Sequence, residues 1–538
     1  MGVCRLMARE FVHIFDTTLR DGAQTHGVDF SVADKIRIIE ELDQLGLSYI
    51  ECGFPGANPT DTEVFARLPK TKASLVAFGM TRRVGRSASN DPGFQGVMQA
   101  GTDHVCLVGK SWDYQVKVAL EAELEENIAS IKDSFEHAAS LGKKAMFDAE
   151  HFFDGFRANK DYALECLDTA LEAGVSWVVL CDTNGGTLPD DVHDIVHEVC
   201  DRFGGDKVGF HGHNDTGCAV ANSLAAVDAG ARQVQGTING LGERCGNADL
   251  CVFIPNLVLK PGFQERFDSG SVGHCLPRIS SVSHRLDDII NKVPDPHKPY
   301  VGRSAFAHKG GLHVSAVQRD PATYEHVDPA LVGNKRIIPM SDQAGRANVL
   351  ARLKASGIDV SDKQERIGRL LEVVKEKEHH GFAYDLADAS FAVLALRELG
   401  QLPSYFEVES FRVSVERRFN AVGDLVTQSE ATVKIMVGGE RIMSVGEGNG
   451  PVHALDMALR KDLGCYSDLI SDLELVDFKV RILDGGTGAV TRVLVDCMDQ
   501  SGEGWTTVGV SPNIVDASFQ ALIDAVNYKL YRHNAQQH

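Results

Sequence analysis

The sequence lacks several features that mark common protein classes. It has no Cys-X-X-Cys pair and no dense cysteine framework; its 12 cysteines are scattered, which is typical of a protein with reduced thiols. It also has no strongly basic stretch, because 54 Lys and Arg residues stand against 75 Asp and Glu residues and give a net charge of -21. This balance argues against a protein that binds the phosphate backbone of nucleic acids, but it does not exclude small anionic substrates held by local cations.

Long apolar runs are absent as well. The apolar stretches are far too short to cross a bilayer, and residues 1–10 carry no apolar segment of the kind found in signal peptides. We therefore expect a cytoplasmic protein. Its 538 residues are several times the usual domain size, so two or three domains are expected.

Up to about residue 265, short strand-like runs alternate with helical stretches. Segments such as Ser31–Leu45 and Tyr162–Ala173 carry apolar residues at helical spacing and end at Gly46 and Gly174. No strand is followed by the G-x-G-x-x-G of a dinucleotide-binding open sheet, and polar residues follow the strands throughout. We therefore predict a TIM (β/α)8 barrel over residues 1–265. Its eight expected strands are Phe11–Phe15, Tyr49–Gly53, Leu75–Phe78, Val105–Val108, Ala145–Asp148, Trp177–Cys181, Val208–His211 and Val234–Thr237.

Two further regions are expected after the barrel. Residues 266–405 are mixed helical and loop sequence with a charged stretch at Val374–His380, which indicates a linker region. In residues 406–538 strand-like alternation returns and the sequence repeats itself, which predicts an α+β domain built from two copies of one unit. Such a domain serves either as a dimerisation module or as a small-molecule sensor. The repeat pairs Gly439-Glu440 with Gly502-Glu503, Val445-Gly446 with Val508-Gly509, Ala458-Leu459 with Ala521-Leu522, and the helix Val452–Leu459 with Val515–Leu522.

The strongest indication of chemistry is a pair of histidines at the end of the seventh strand. His211 and His213 are two residues apart, so their side chains point to the same face of a strand. A single buried histidine is usually a core residue with a hydrogen-bond partner, but two on one face at the functional rim of a barrel favour a metal site. Asp21, after the first strand, would complete such a site, while the neighbouring Arg20 taken alone would be a surface ion-pair partner.

Three segments of this chain resemble the DRE-TIM metallolyases, and the tail resembles the regulatory domain of the 2-isopropylmalate synthases in that family. Within the family, the branch that joins acetyl-CoA to pyruvate is the most similar, through Asp21–Gln24, Gly53–Pro59 and Ser341–Arg346. The resemblance spans nearly the whole chain. The three segments are Phe15–Gln24, His211–Asp215 and Gly240–Asn247.

The resemblance implies a divalent metal, either Mg, Mn or Zn, held by Asp21, His211, His213 and Asn247. Asn247 in isolation would be only a turn-forming loop amide. Arg20 would bind substrate and stabilise negative charge on its oxygen during catalysis.

Further roles are implied around the barrel rim. Thr183 would bind the carboxylate of the 2-oxo acid, and Glu150 would act near the substrate, although a solvated rim acid is the alternative. Two positions earlier, this chain has Asp148 where the family often has a tyrosine or another non-acidic residue, so the pocket lining differs on that side.

Beyond the barrel, the resemblance places His313 and Tyr324 in a linker segment that reaches the active site of a partner subunit. Together they would deprotonate acetyl-CoA and stabilise its enolate, with the identity of the base left open. His308 is a competing histidine that we expect to be structural.

The implied reaction is an acyltransfer in which acetyl-CoA condenses with pyruvate and releases CoA and citramalate. Such a product would feed isoleucine synthesis without threonine, and the duplicated tail of a homodimer would then sense isoleucine. Three alternatives remain: another 2-oxo acid, giving isopropylmalate or homocitrate; carbon–carbon cleavage, as in the lyases of the family; and a non-catalytic sensor of amino acids.

Overall fold

A computed structural model describes residues 9–338, 346–360, 364–419, 422–483, 489–500, 502 and 504–533. The described residues form two compact units. The first extends to Phe306 and includes Val327–Lys335, and the second comprises Ala307–His326 and the residues from Arg336 onward. Most of the motif Ser341–Arg346 and Glu503 of the repeat lie outside the described residues. The predicted domain boundaries after residues 265 and 405 stay a prediction.

The first unit contains a closed barrel of eight parallel strands, each paired with its neighbours in chain order, and the predicted fold class is confirmed. Strand β8 pairs with β1, which closes the barrel. The strands are β1 His13–Asp16, β2 Tyr49–Glu51, β3 Ser74–Met80, β4 His104–Lys110, β5 Lys144–Glu150, β6 Trp177–Asp182, β7 Val208–Gly212 and β8 Gln233–Gly236.

The predicted first strand, Phe11–Phe15, differs from the observed one because it joins two elements. Glu10–Phe11 pairs in parallel with Phe267–Asp268, outside the barrel, whereas His13–Asp16 pairs with β2 and β8. The sequence pattern does not separate them because apolar residues continue across the junction. The other seven predicted strands each overlap an observed barrel strand.

Helices surround the barrel and begin and end where local residues stabilise their termini. Ser31 caps the helix Val32–Leu45, since its hydroxyl accepts from the backbone of Asp34 while the Asp34 carboxylate accepts from the backbone of Ser31. Gly46 ends this helix in the left-handed conformation, at a φ of 88°, which is accessible to glycine without strain. The other helices of the first unit are Pro59–Ala66, Pro92–Met98, Asp113–Ala119, Leu124–Ser140, Phe152–Ala158, Lys160–Glu172, Pro189–Phe203, Ala219–Ala229, Leu250–Leu259, Pro261–Gln264, Ser271–Cys275 and Ile279–Ile289.

The second unit begins with helices and ends in the predicted duplication. Two copies of a three-stranded antiparallel sheet are each followed by a helix, Pro451–Lys461 in the first copy and Ile514–Arg532 in the second. The strands are β9 Glu407–Phe419, β10 Leu425–Val437, β11 Glu440–Gly448, β12 Glu474–Ile482, β13 Thr491–Met498 and β14 Gly504–Ser511. The other helices of this unit are Gly311–Arg319, Arg346–Ala355, Gln364–His379, Asp388–Glu398 and Ser467–Ile470.

The two sheets are buried to different extents. Both contribute one face to a common core with the two repeat helices, in which Val433 and Val495 are fully enclosed. The outer face of the second sheet also packs, through Leu494 and Val510, against the apolar cluster of three helices that precede the sheets. These helices, called the linker helices below, are Arg346–Ala355, Gln364–His379 and Asp388–Glu398. Among the described residues, no helix is both long and apolar enough to cross a membrane.

Candidate metal centre and active site

The structure brings Asp21, His211 and His213 together at the carboxyl end of the barrel strands. The Nε2 atom of His211 lies 3.2 Å from Oδ2 of Asp21 and 3.3 Å from Nε2 of His213. All three residues, which together are called the metal group below, are buried, and their ligand atoms lie within 4.8 Å of one another. Such a group of one carboxylate and two imidazoles is consistent with a divalent metal site.

The hydrogen bonds of His211 fix what its ring presents to Asp21. Its Nδ1 lies 2.8 Å from Oε1 of Gln235, an acceptor, so Nδ1 carries the proton and donates it. In the neutral ring, Nε2 then presents a lone pair to Oδ2 of Asp21, which is also an acceptor. Two acceptors at this distance require a proton or a cation between them, so the residues present fit a bound metal.

The charges of Asp21, His211 and His213 depend on their burial and on the charged groups close to them. Burial disfavours the charged form of Asp21, but Arg20 and the two histidines outweigh it and hold the pKa of the carboxyl well below its usual range. Burial lowers the pKa of His211, yet the hydrogen bond and charge of Asp21 produce a net rise. Burial and the neighbouring His211 lower the pKa of His213 to about 4. His213 is therefore neutral near pH 7, as a metal ligand must be.

Asn247 lies beside this group. Its backbone forms an isolated bridge with His213, and its side-chain nitrogen donates to the carbonyl of Leu241 at 3.0 Å. Its side-chain oxygen is buried and accepts no hydrogen bond from the described residues. Gly242 makes this position possible, because a Cβ there would lie 2.1 Å from the side-chain nitrogen of Asn247. An unsatisfied buried amide oxygen beside the histidines fits the expected fourth ligand.

Arg20 is held at the rim by contacts on two sides. Its Nε donates to Oε2 of Glu51 at 2.7 Å, and its guanidinium lies 3.9 Å from the centre of the Phe78 ring. Its Nη1 lies 3.7 Å from Oδ2 of Asp21. Arg20 is thus directed toward the metal group and is not the surface ion-pair partner that its immediate sequence alone would allow. Burial raises the pKa of Glu51 to about 7, although Arg20 acts in the opposite direction.

Thr183 follows β6, and its hydroxyl oxygen accepts a hydrogen bond from the backbone of His151 at 2.8 Å. Because this bond uses a lone pair, the hydroxyl proton remains available for a ligand. Glu150, at the end of β5, forms an ion pair with Lys110 and is partly exposed. Arg244 connects the rim loops, since it donates to the backbone oxygen of Thr183 and to the carboxylate of Asp215.

His313 and Tyr324 belong to the second unit, where their rings stack at a centroid distance of 4.1 Å. The structure thus brings these two predicted residues together. His308 lies 3.0 Å from the carboxylate of Glu325, which Arg336 also contacts at 2.6 Å. This buried network agrees with a structural role for His308.

Three buried polar residues of the barrel interior lie at the site, although no role was predicted for them: Glu51, Asp148 and Gln235. Glu51 is the last residue of β2, so the rule that polar residues at strand ends face the active site would have identified it. Asp148 differs in the sequence only as a departure from the family pattern, which assigns it no role. Gln235 lies within β8 together with Gln233, and nothing in the sequence distinguishes these two glutamines from each other.

Comparisons with known proteins agree with this arrangement. Residues 11–275 match the family described as HMGL-like, residues 300–380 match the homocitrate synthase post-HMGL domain-like family, and residues 385–530 match the LeuA allosteric (dimerisation) domain. A protein of Synechocystis described as (R)-citramalate synthase is 47% identical over 529 residues, which cover 96% of each chain. A protein of Streptomyces coelicolor with the same description is 48% identical over 527 residues, which cover 97% of each chain.

The chain belongs to the (R)-citramalate synthase family. The predicted membership in the DRE-TIM metallolyases is confirmed, and so is the branch within it. A probable 2-isopropylmalate synthase of Methanopyrus kandleri is 34% identical over 516 residues, covering 96% of this chain and 98% of that protein. The chain is therefore clearly more similar to these two members of the (R)-citramalate synthase family than to this relative with another description.

Proposed function

We propose that this protein condenses acetyl-CoA with pyruvate and water to give (R)-citramalate and CoA, as an early step of threonine-independent isoleucine synthesis. The observation that carries the proposal is the buried group of Asp21, His211 and His213 in a chain that matches citramalate synthases over its full length. Acyltransfer with formation of a carbon–carbon bond is the corresponding reaction class.

The proposed metal ligands are Asp21, His211, His213 and Asn247. A divalent cation at this position would polarise the carbonyl of a chelated 2-oxo acid as a Lewis acid. Whether Mg, Mn or Zn fills the site stays open, because each accepts nitrogen and oxygen ligands.

Arg20 and Thr183 would position the 2-oxo acid. The Thr183 hydroxyl, which accepts from His151, retains a proton to donate to the substrate carboxylate. Arg20 would neutralise the negative charge that develops on the former carbonyl oxygen of pyruvate. The contact between Arg20 and Glu51 prevents the guanidinium from turning away, so little reorganisation is needed during the reaction. Glu150, paired with Lys110, would complete this side of the site.

His313 and Tyr324 would act on acetyl-CoA. Loss of a methyl proton generates the enolate, whose carbon attacks the pyruvate carbonyl, and hydrolysis of the thioester then releases CoA. One ring of the stacked pair would remove the proton and the other would donate to the thioester oxygen. We further propose that these residues act in a homodimer, and that the LeuA-type domain binds isoleucine as an effector.

The deciding experiment measures CoA release from acetyl-CoA with pyruvate, 2-oxoisovalerate and 2-oxoglutarate in parallel, with and without a chelator. We expect the highest kcat/KM with pyruvate and loss of activity with the chelator. A preference for 2-oxoisovalerate would instead support isopropylmalate formation, the second candidate that the Methanopyrus relative favours. Unchanged activity after complete metal removal would contradict the metal mechanism. Absence of turnover with all three acids would favour a non-catalytic sensor.

A further inference from the structure

A chain of two hydrogen bonds connects the metal group to the opposite side of the barrel interior. The ring Nδ1 of His211 on β7 bonds to Oε1 of Gln235 on β8 at 2.8 Å. The side-chain Nε2 of Gln235 donates to Oδ1 of Asp148 on β5 at 2.9 Å. All three side chains are buried, with exposed fractions of 4%, 0% and 3%.

The direction of these bonds is set by the residue at the far end. The amide nitrogen of Gln235, which can only donate, faces Oδ1 of Asp148, which accepts. The oxygen end of the amide therefore faces His211 and accepts the proton on Nδ1.

We propose that Asp148 and Gln235 are positioning residues that hold His211 in the tautomer with a free lone pair on Nε2. This is the nitrogen that faces Asp21 at 3.2 Å and His213 at 3.3 Å. In the other neutral tautomer, Nε2 would carry the proton and could not bind a metal. The inference rests on the metal site proposed above and assigns a role to Asp148, at which this chain departs from the pattern often found in the family.

A neighbouring residue provides a matched control. Gln233 lies two positions before Gln235 on β8, so its side chain points to the same side, and it is equally buried. Its side-chain nitrogen contacts only the sulfur of Met146 at 3.6 Å among the described residues, and its oxygen has no hydrogen-bond partner there. A change of Gln233 thus alters buried polarity without touching a predicted metal ligand.

The first test compares Gln235→Met with Gln233→Met in the full-length protein after metal removal. Mn²⁺ is titrated by calorimetry and by competition with a chromogenic chelator, and thermal unfolding confirms that each variant is folded. We expect Gln235→Met to weaken Mn²⁺ binding by about 10- to 100-fold, as is usual when the hydrogen-bond partner of a metal-binding histidine is removed. Gln233→Met should remain within about twofold of the unchanged protein, since it leaves the hydrogen bond of His211 intact.

The second test exchanges donor and acceptor between the two positions. Gln235→Glu alone places two carboxylates against each other, and Asp148→Asn alone removes the group that sets the direction of the amide. Combined, they keep an acceptor for Nδ1 of His211 and a donor to the residue at position 235. We expect the double variant to bind Mn²⁺ more tightly than either single variant, with a coupling of about tenfold or more.

These results separate the inference from the metal site on which it depends. If the unchanged protein binds no Mn²⁺, the proposed site itself is wrong. If the unchanged protein binds Mn²⁺ and folded Gln235→Met binds equally well, the positioning role alone is overturned. A double variant that binds no better than the weaker single variant would also overturn it.

Discussion

The interior of the barrel and the first sheet of the second unit depart from the usual distribution of side chains in opposite ways. In the barrel, the charged or polar residues Asp21, Glu51 and His211 are at most 4% exposed. On the outer face of the first sheet, Met443 and Val445 of β11 are 65% and 38% exposed. Buried charge and exposed apolar surface both have an energetic cost, so each indicates a position where something else binds.

The two sheets of the second unit differ in whether their outer faces are covered. Its outer face packs through Leu494 and Val510 against the linker helices of the same unit, while the equivalent face of the first sheet has no such cover among the described residues. A duplicated module with one covered and one open outer face agrees with the LeuA dimerisation domain that matches this region. The buried charged residues of the barrel therefore indicate a ligand of high charge. The exposed apolar face of the first sheet indicates an apolar partner.

The largest effect should follow from removal of both imidazoles from the barrel. We expect His211→Ala with His213→Ala to abolish Mn²⁺ binding and to lower CoA release with pyruvate by more than about 10³-fold, because only Asp21 and Asn247 remain of the four proposed ligands. Calorimetry and a thiol assay measure the two quantities. The control replaces His193 and His197, a partly exposed pair on the helix Pro189–Phe203, and should leave both unchanged. Normal turnover in the first variant would contradict the proposed centre.

A second large effect is expected at Arg20. Arg20→Lys keeps the positive charge but loses the planar guanidinium that donates to Glu51. The ammonium group would therefore be held less firmly beside the substrate oxygen on which negative charge develops. We expect kcat to fall about 100-fold while Mn²⁺ affinity changes only a few-fold. Arg82→Lys is the matched control, since Arg82 is 8% exposed and pairs with Glu126 at 2.7 Å without contact to the metal group. Equal losses of kcat in both variants would show that Arg20 acts only through packing.

The eight barrel strands and the duplicated tail could be predicted from sequence because both repeat a simple pattern many times. The histidine pair could be predicted because two residues on one strand face have a fixed geometry. Gln235 and Asp148 could not, because their bond joins β8 to β5 across the barrel interior, 87 residues apart in the chain. Such a contact depends on barrel closure and leaves no local periodicity.

Glu51 shows a second reason why a site residue can escape prediction from the sequence. Its position at the end of β2 follows the same rule that identifies Asp21, but a single glutamate has no fixed partner in the sequence. Only the fold shows that it is fully buried against Arg20. The roles of Thr183 and Glu150 rest on family resemblance and stay a prediction.

A smaller effect is expected from pH. His211 must lose the proton on Nε2 before a metal binds, and its pKa in the metal-free protein is raised by Asp21, with burial acting in the opposite direction. Mn²⁺ affinity should therefore fall as pH decreases through and below this raised pKa, by up to about tenfold per pH unit. Titrations between pH 5.5 and 8 at constant ionic strength test this, with the unfolding temperature followed in parallel. An affinity that is constant over this range would contradict the predicted proton displacement.

The smallest effect concerns the exposed face of the first sheet. If the exposed face of the first sheet forms the dimer interface, Met443→Lys combined with Val445→Lys should raise the dimer dissociation constant by about tenfold, because two charges would be buried there without partners. Ultracentrifugation measures the dissociation, and Met457→Lys, on the neighbouring helix and 42% exposed, is the control.

If His313 and Tyr324 act on a partner subunit, CoA release per chain should fall with the dimer fraction at low protein concentration and recover at high concentration. Dissociation without loss of activity would show that each chain completes its own site, whereas an unchanged dimer would place the interface elsewhere.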